Sequence, residues 1–290
     1  MRLALGKNHP IPRLFQVPGP LHLEHAFFRR AEIATAGSLD YWIASCRWSY
    51  ERYSASGITR NRLFLSYYGT DPAIFTVHEK HKLRKELGID DKVRLVGMVA
   101  FMYAPKWYLR QTRGIKGHED LIDAISICLE KGLDIAGVFI GGAWNNAIAY
   151  EDSVMKYGKK RCGERIFFLG TRMDVPQLYP DFDVAVHPSH SENLGGVVES
   201  LLACRPTIAT RVGGFPDLVI DGESGWLVPS RRPDLLAKAI IDVLRDPDES
   251  LIRARRGQAL TQNLLDVKRT GKEIAEIYKT VMKEIEEPAH

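Results

Sequence analysis

Apolar positions change period repeatedly along this chain, and the changes mark out its elements. From Arg13 to Val17 a short apolar run reads as a strand, broken by Pro18-Gly19-Pro20. An amphipathic stretch over residues 21–37 carries Leu23, Phe27 and Ile33 at roughly helical spacing and stops at Gly37. DYWIAS (40–45) and RLFLSYYG (62–69) read as strands around a helical WSYERYSASG (48–57). A charged helix over 79–89 leads to VRLVGMVA (93–100), a continuous apolar run that suits a strand buried on both faces. Helix and strand then alternate strictly: helix 118–131, strand 134–142, helix 147–160, strand 165–170, short helix 175–180 and strand 183–188. VVESLLAC (197–204) is helical, PTIAT (206–210) and GWLVP (225–229) are strands, and three helices close the chain. This grammar predicts an α/β chain with a doubly wound parallel sheet.

Bulk composition narrows the setting. The 290 residues are 45% hydrophobic and 26% charged, ordinary for a globular protein of one large or two unequal domains. A net charge of +4 is too small to imply a nucleic-acid partner, although it is compatible with phosphorylated ligands or a peripheral contact with an anionic membrane. Cys46, Cys128, Cys162 and Cys204 share no CxxC spacing, which argues for reduced thiols in a cytoplasmic setting rather than a disulfide frame or zinc site. No window approaches the length of a membrane span.

The candidate chemistry concentrates in His187–Pro206, HPSHSENLGGVVESLLACRP. A strand ends there in a polar turn, and Gly195 and Gly196 precede an apolar helix. Backbone N–H groups at a helix start attract anions, and paired glycines let a ligand approach without Cβ interference. Glu192 and Glu199 can accept hydrogen bonds from hydroxyls. Anion donors beside hydroxyl acceptors suit a nucleotide-sugar pocket. Plainer alternatives stand beside this: Glu192 as a turn or N-cap carboxylate, and Glu199 as a first-turn acid favoured by the helix dipole.

Four further segments, in order, carry a family resemblance. SYYGTDPAIF (66–75), KGHEDLIDAI (116–125), the run from Phe168 through Thr210, and RVGGFPDLVIDGESGWLVP (211–229) resemble the GT-B glycosyltransferases of the large retaining family 4. The resemblance implies a complete C-terminal Rossmann-like domain over 76–265, preceded by a truncated N-terminal Rossmann-like portion over 1–75. Residues 266–290 are expected to form a helix returning toward that portion. It implies transfer of a hexose from a nucleotide-diphospho-sugar donor to an unidentified acceptor. Glu192 would face the transferred sugar, Glu199 the ribose, and Lys116 the diphosphate, with Asn193, Leu194, Gly195 and Gly196 completing the donor site and Thr171 meeting the base. Neither a cofactor nor a metal is expected, since no DxD-like motif accompanies the donor segment.

The chain departs from the family pattern at three places. Glu192 and Glu199 enclose six residues where the family commonly has E-x7-E. Met98 follows Gly97 where a phosphate arginine is usual, leaving Lys106, Arg110 and Arg113 as substitutes, with Arg113 nearest Lys116. About three strands precede residue 75, where a Rossmann-like half carries about five or six, and this implies a missing N-terminal segment or a partner chain. His22, just past the PGP turn, is the candidate for a histidine facing the donor sugar, with His25 competing. Two rival functions follow: a non-catalytic nucleotide-sugar-binding remnant, and a glycoside hydrolase using Glu192 and Glu199 as acid and base.

Overall fold

The computed structural model describes residues 5–75 and 82–286, which fall into two compact units. One runs up to Asp71 and resumes at Asn263; the other spans Pro72–Gln262. The first three residues of the expected charged helix lie outside the described residues, and its remainder forms Lys82–Leu87.

In the smaller unit β1 (Arg13–Val17), β2 (Asp40–Ala44) and β3 (Leu63–Leu65) pair in parallel in that order. The central β2 is buried along its whole length because both faces are covered. Period-two alternation divides its side chains. Trp42 packs with Val17, Leu23, Tyr53 and Leu63, while Tyr41 and Ile43 meet Ile277 and Val281 of the helix Val267–Glu286. The entry to β2 is fixed by a buried ion pair, Arg13 Nε to Asp40 Oδ1 at 2.5 Å, and by the Gly37 N–H donating to Asp40 Oδ2 at 2.9 Å. The stretch predicted as one long helix breaks at His25, whose extended backbone (φ −89°, ψ 120°) separates Leu21–Glu24 from Ala26–Ala34.

The larger unit holds the doubly wound sheet. Its strands are β4 (Arg94–Val99), β5 (Ile135–Ile140), β6 (Ile166–Phe168), β7 (Val184–His187), β8 (Thr207–Thr210) and β9 (Trp226–Val228). All pair in parallel in the order β6-β5-β4-β7-β8-β9, which is the Rossmann order 3-2-1-4-5-6. On one face Val96, Met98, Phe139 and Val186 pack against the helices His118–Glu130 and Pro233–Arg245. On the other, Leu95, Val138 and Ala185 meet Leu83, Tyr179 and Phe182. Gly97 has a steric task here: a Cβ at this position would fall 2.4 Å from the Phe182 ring. Strand order reverses between β4 and β7, and in such sheets ligands bind outside the carboxyl ends of the strands at that reversal.

Candidate functional site

A cavity of about 370 Å³ opens where β4 and β7 end. The residue after β4 is Ala100, and the loop after β7 carries Ser189, Glu192, Gly195 and Gly196; all five line the cavity. Lys116 enters from the turn before the helix His118–Glu130, and Glu199 from the helix Val197–Leu202. Thr171 and Arg172 reach it from the loop after β6. Lys116, Thr171, Glu192, Gly195, Gly196 and Glu199, all singled out from sequence, therefore share one wall system.

Lys116 and Glu192 form an ion pair, Nζ to Oε2, with side chains 19% and 15% exposed. The Lys116 ammonium also sits 5.4 Å from the centre of the Tyr103 ring. The turn that carries it is tightly braced. Gly114 N–H donates to Glu119 Oε1 at 3.3 Å, the Tyr150 hydroxyl donates to the same oxygen at 2.8 Å, and Gly117 N–H donates to Gly114 O at 3.0 Å. Gly117 has φ +75°, and a Cβ there would lie 2.1 Å from the Pro188 carbonyl oxygen. Only glycine satisfies both the left-handed backbone and that close approach. Gly195 (φ +44°) is under a similar constraint, because an added Cβ would meet the Glu192 carboxyl carbon at 2.8 Å.

The environment is tuned by burial. Glu199 accepts from the buried Tyr179 hydroxyl at 3.1 Å; burial raises its pKa and that hydrogen bond opposes the rise. His187, its Nε2 2.9 Å from Ser200 Oγ, is pushed down to about 3 by burial and then by the Lys116 charge. His118 is pushed down to about 4 by burial, with its Nε2 3.3 Å from the Ala100 carbonyl. Both imidazoles are therefore neutral at physiological pH.

Four sequence-predicted residues do not line the cavity. Asn193 and Leu194 are buried, at 7% and 4% exposure, and sit within the loop wall. Arg113 lies outside the cavity lining, its guanidinium paired with two carboxylates on the next helix: Asp120 at 2.5 Å and Asp123 at 2.8 Å. His22 belongs to the smaller unit, where Nε2 lies 3.0 Å from Glu32 Oε2 and 3.1 Å from the Tyr53 hydroxyl. Of the other two substitutes for the phosphate arginine, neither Lys106 nor Arg110 lines the cavity. The arginine that does line it, Arg172, was not foreseen; it is held by Asp174 and Glu86. Its only sequence signal was its place after the β6 strand end, beside Thr171. Among the described residues no group of three or more His, Cys, Asp or Glu side chains could hold a metal ion, and no helix is long and apolar enough to cross a membrane.

Comparison with known proteins bears on the family and the fold. The family model described as Glycosyl transferases group 1 matches residues 79–259. The D-inositol 3-phosphate glycosyltransferase of Mycolicibacterium gilvum is 29% identical over 204 residues, which is 69% of this chain and 43% of that protein. The lipopolysaccharide core biosynthesis mannosyltransferase LpsB of Rhizobium meliloti is 24% identical over 209 residues, 71% of this chain and 57% of that one. The chain thus spans less than two thirds of the length of these curated relatives. The crystal structure of Anabaena Alr3699/HepE in complex with UDP-glucose superposes with a TM-score of 0.82 at 25% identity, covering 96% of this chain and 75% of that chain. The fold is α/β of the GT-B type found in these neighbours. With well over half its length matched by the family model, the chain belongs to the glycosyl transferases group 1 family.

Proposed function

We propose that the larger unit binds a nucleoside-diphospho-sugar and that the protein is a retaining hexosyltransferase of family 4 type, acting on an acceptor whose class the site does not specify. The observation that carries this reading is the convergence of Lys116, Glu192, Gly195, Gly196 and Glu199 on one cavity at the sheet's reversal point. A neighbour of the same fold was crystallised with UDP-glucose, which favours a uridine nucleotide as the first donor to test.

In this reading Lys116 and Arg172 meet the diphosphate, Lys116 as a compact point charge. Glu199 accepts from the ribose hydroxyls, and Thr171 lies beside the base. A diphosphate carries more charge than one carboxylate, so it competes for the Lys116 ammonium and releases Glu192 to the sugar hydroxyls. Glu192 then supports the positive charge that develops at the anomeric carbon, while Lys116 stabilises the departing diphosphate. The cations and the intact reversal point favour a transferase over a glycoside hydrolase, which has no use for a diphosphate subsite.

The test is calorimetric titration of UDP and UDP-glucose into wild type, Lys116→Ala and Glu199→Ala. Each substitution is expected to weaken binding at least about tenfold, a loss of about 1.4 kcal/mol. Unchanged affinity in both variants would overturn the pocket assignment. Retention is read from the anomeric configuration of the product by NMR.

A further inference from the structure

A buried polar cluster directly behind the cavity has no task in the proposed chemistry. His190 Nε2 lies 2.6 Å from Asp120 Oδ2, and Asp120 Oδ1 accepts from Arg113 Nη1 at 2.5 Å. The His190 and Asp120 side chains are 8% and 5% exposed. A carboxylate can only accept, so His190 Nε2 carries the proton and donates it. Burial pushes the Asp120 carboxyl up, but His190 and Arg113 outweigh it and hold Asp120 below its ordinary range, hence ionised.

Stability alone does not account for such a cluster. Buried ionic groups typically contribute little that well-packed apolar residues of the same size could not supply. Their placement is more informative. His190 stands two residues before Glu192, and Arg113 three before Lys116, so Asp120 bridges the two segments that present the opposed charges of the site. The same segments are also stitched by His190 N–H donating to Ile115 O at 2.7 Å and by the close approach of Gly117 to Pro188.

We propose that His190, acting through Asp120, is a positioning residue that sets Lys116 against Glu192 before a nucleotide arrives. This rests on the donor-site reading above. A long lysine and a glutamate ordered in advance lose less freedom on binding than two mobile ones, so the clamp shows up as affinity.

The experiment compares His190→Ala, His190→Gln and Tyr157→Phe in the full chain. Tyr157→Phe serves as the control, because it removes a neighbouring hydrogen bond to Asp123 Oδ1 while leaving both the His190–Asp120 contact and the Asp123 Oδ2–Arg113 ion pair in place. UDP affinity is read by calorimetry, and hydrogen exchange by mass spectrometry without nucleotide. His190→Ala is expected to bind UDP about tenfold more weakly, the scale of losing the preorganisation of one or two long side chains, and to exchange faster over 113–117 and 188–196. His190→Gln, which can still donate to Asp120, is expected to stay within about threefold of wild type. Tyr157→Phe is expected to change neither readout. Wild-type affinity in His190→Ala, or a glutamine variant no better than alanine, overturns the proposal. If wild type itself takes no UDP, the donor reading has failed instead. The exchange arm then decides the clamp alone: unchanged exchange over 113–117 in His190→Ala refutes it.

Discussion

Two buried imidazoles give the fold a specific acid sensitivity. His187 and His118 have folded pKa values of about 3 and about 4 against an ordinary 6.5, both because burial disfavours the charged ring. In the unfolded chain each takes a proton as pH falls below 6.5, whereas in the folded chain neither does until far lower. Their stability contribution is therefore full above 6.5 and is lost on acidification toward the folded values. At about pH 5 the unfolded state has gained about 1.5 pH units of protonation free energy per histidine, or about 2 kcal/mol each and about 4 kcal/mol together. Carboxylates act elsewhere on the scale. Asp120, held low, costs stability only as pH falls below its ordinary 3.8. Glu199, raised by burial, works with the opposite sign above its ordinary 4.5 and offsets part of the loss. The assay is urea unfolding of wild type and His187→Gln, followed by circular dichroism at about pH 7.5 and about pH 5, where the glutamine variant should lose about 2 kcal/mol less than wild type. Equal losses in the two proteins would refute the argument, because a neutral buried His187 has no other way to escape this linkage.

Two other outcomes follow from packing and burial. Gly117→Ala adds a Cβ 2.1 Å from the Pro188 carbonyl at φ +75°, so combined strain and overpacking should cost about 2–4 kcal/mol and lower the melting temperature, with loss of UDP binding in calorimetry. Burial pushes the Cys128 thiol up to about 12 and Cys162 to about 11, and the half-buried Cys204 is the most accessible of the four. A thiol reagent near neutral pH should label Cys204 first and leave Cys128 and Cys162 unmodified until the protein is unfolded, as read by mass spectrometry.

Much of the fold was legible because its signals are local. Continuous apolar runs such as 93–100 became central strands, buried from Leu95 to Met98 in that case, and strict alternation with helices led directly to a parallel, doubly wound sheet. The glutamates and glycines after β7 were legible for the same reason: a strand end, a turn and a helix start lie consecutively in sequence. What escaped depended on partners brought in from elsewhere. Arg113 looked like a free cation beside Lys116, yet Asp120 and Asp123, three apart on one helix, converge on its guanidinium. Arg172 gave no periodic or spacing signal, and its place at the cavity follows from where the β6 loop ends. The break at His25 was hidden because hydrophobic spacing continues across it, while backbone dihedrals do not.

The helix Val267–Glu286 has a consequence for synthesis. It covers the face of β2 formed by Tyr41 and Ile43, and its Glu273 accepts from Ser66 across 207 positions of sequence. At translation speeds of about 5–20 residues per second, that distance is on the order of 10–40 s of elongation. For that interval the nascent three-stranded sheet has one apolar side without its cover, while the larger unit, continuous from Pro72 to Gln262, emerges and can close first. The smaller unit is therefore the later one to mature on the ribosome, and its waiting face is where a chaperone or an aggregating neighbour would take hold.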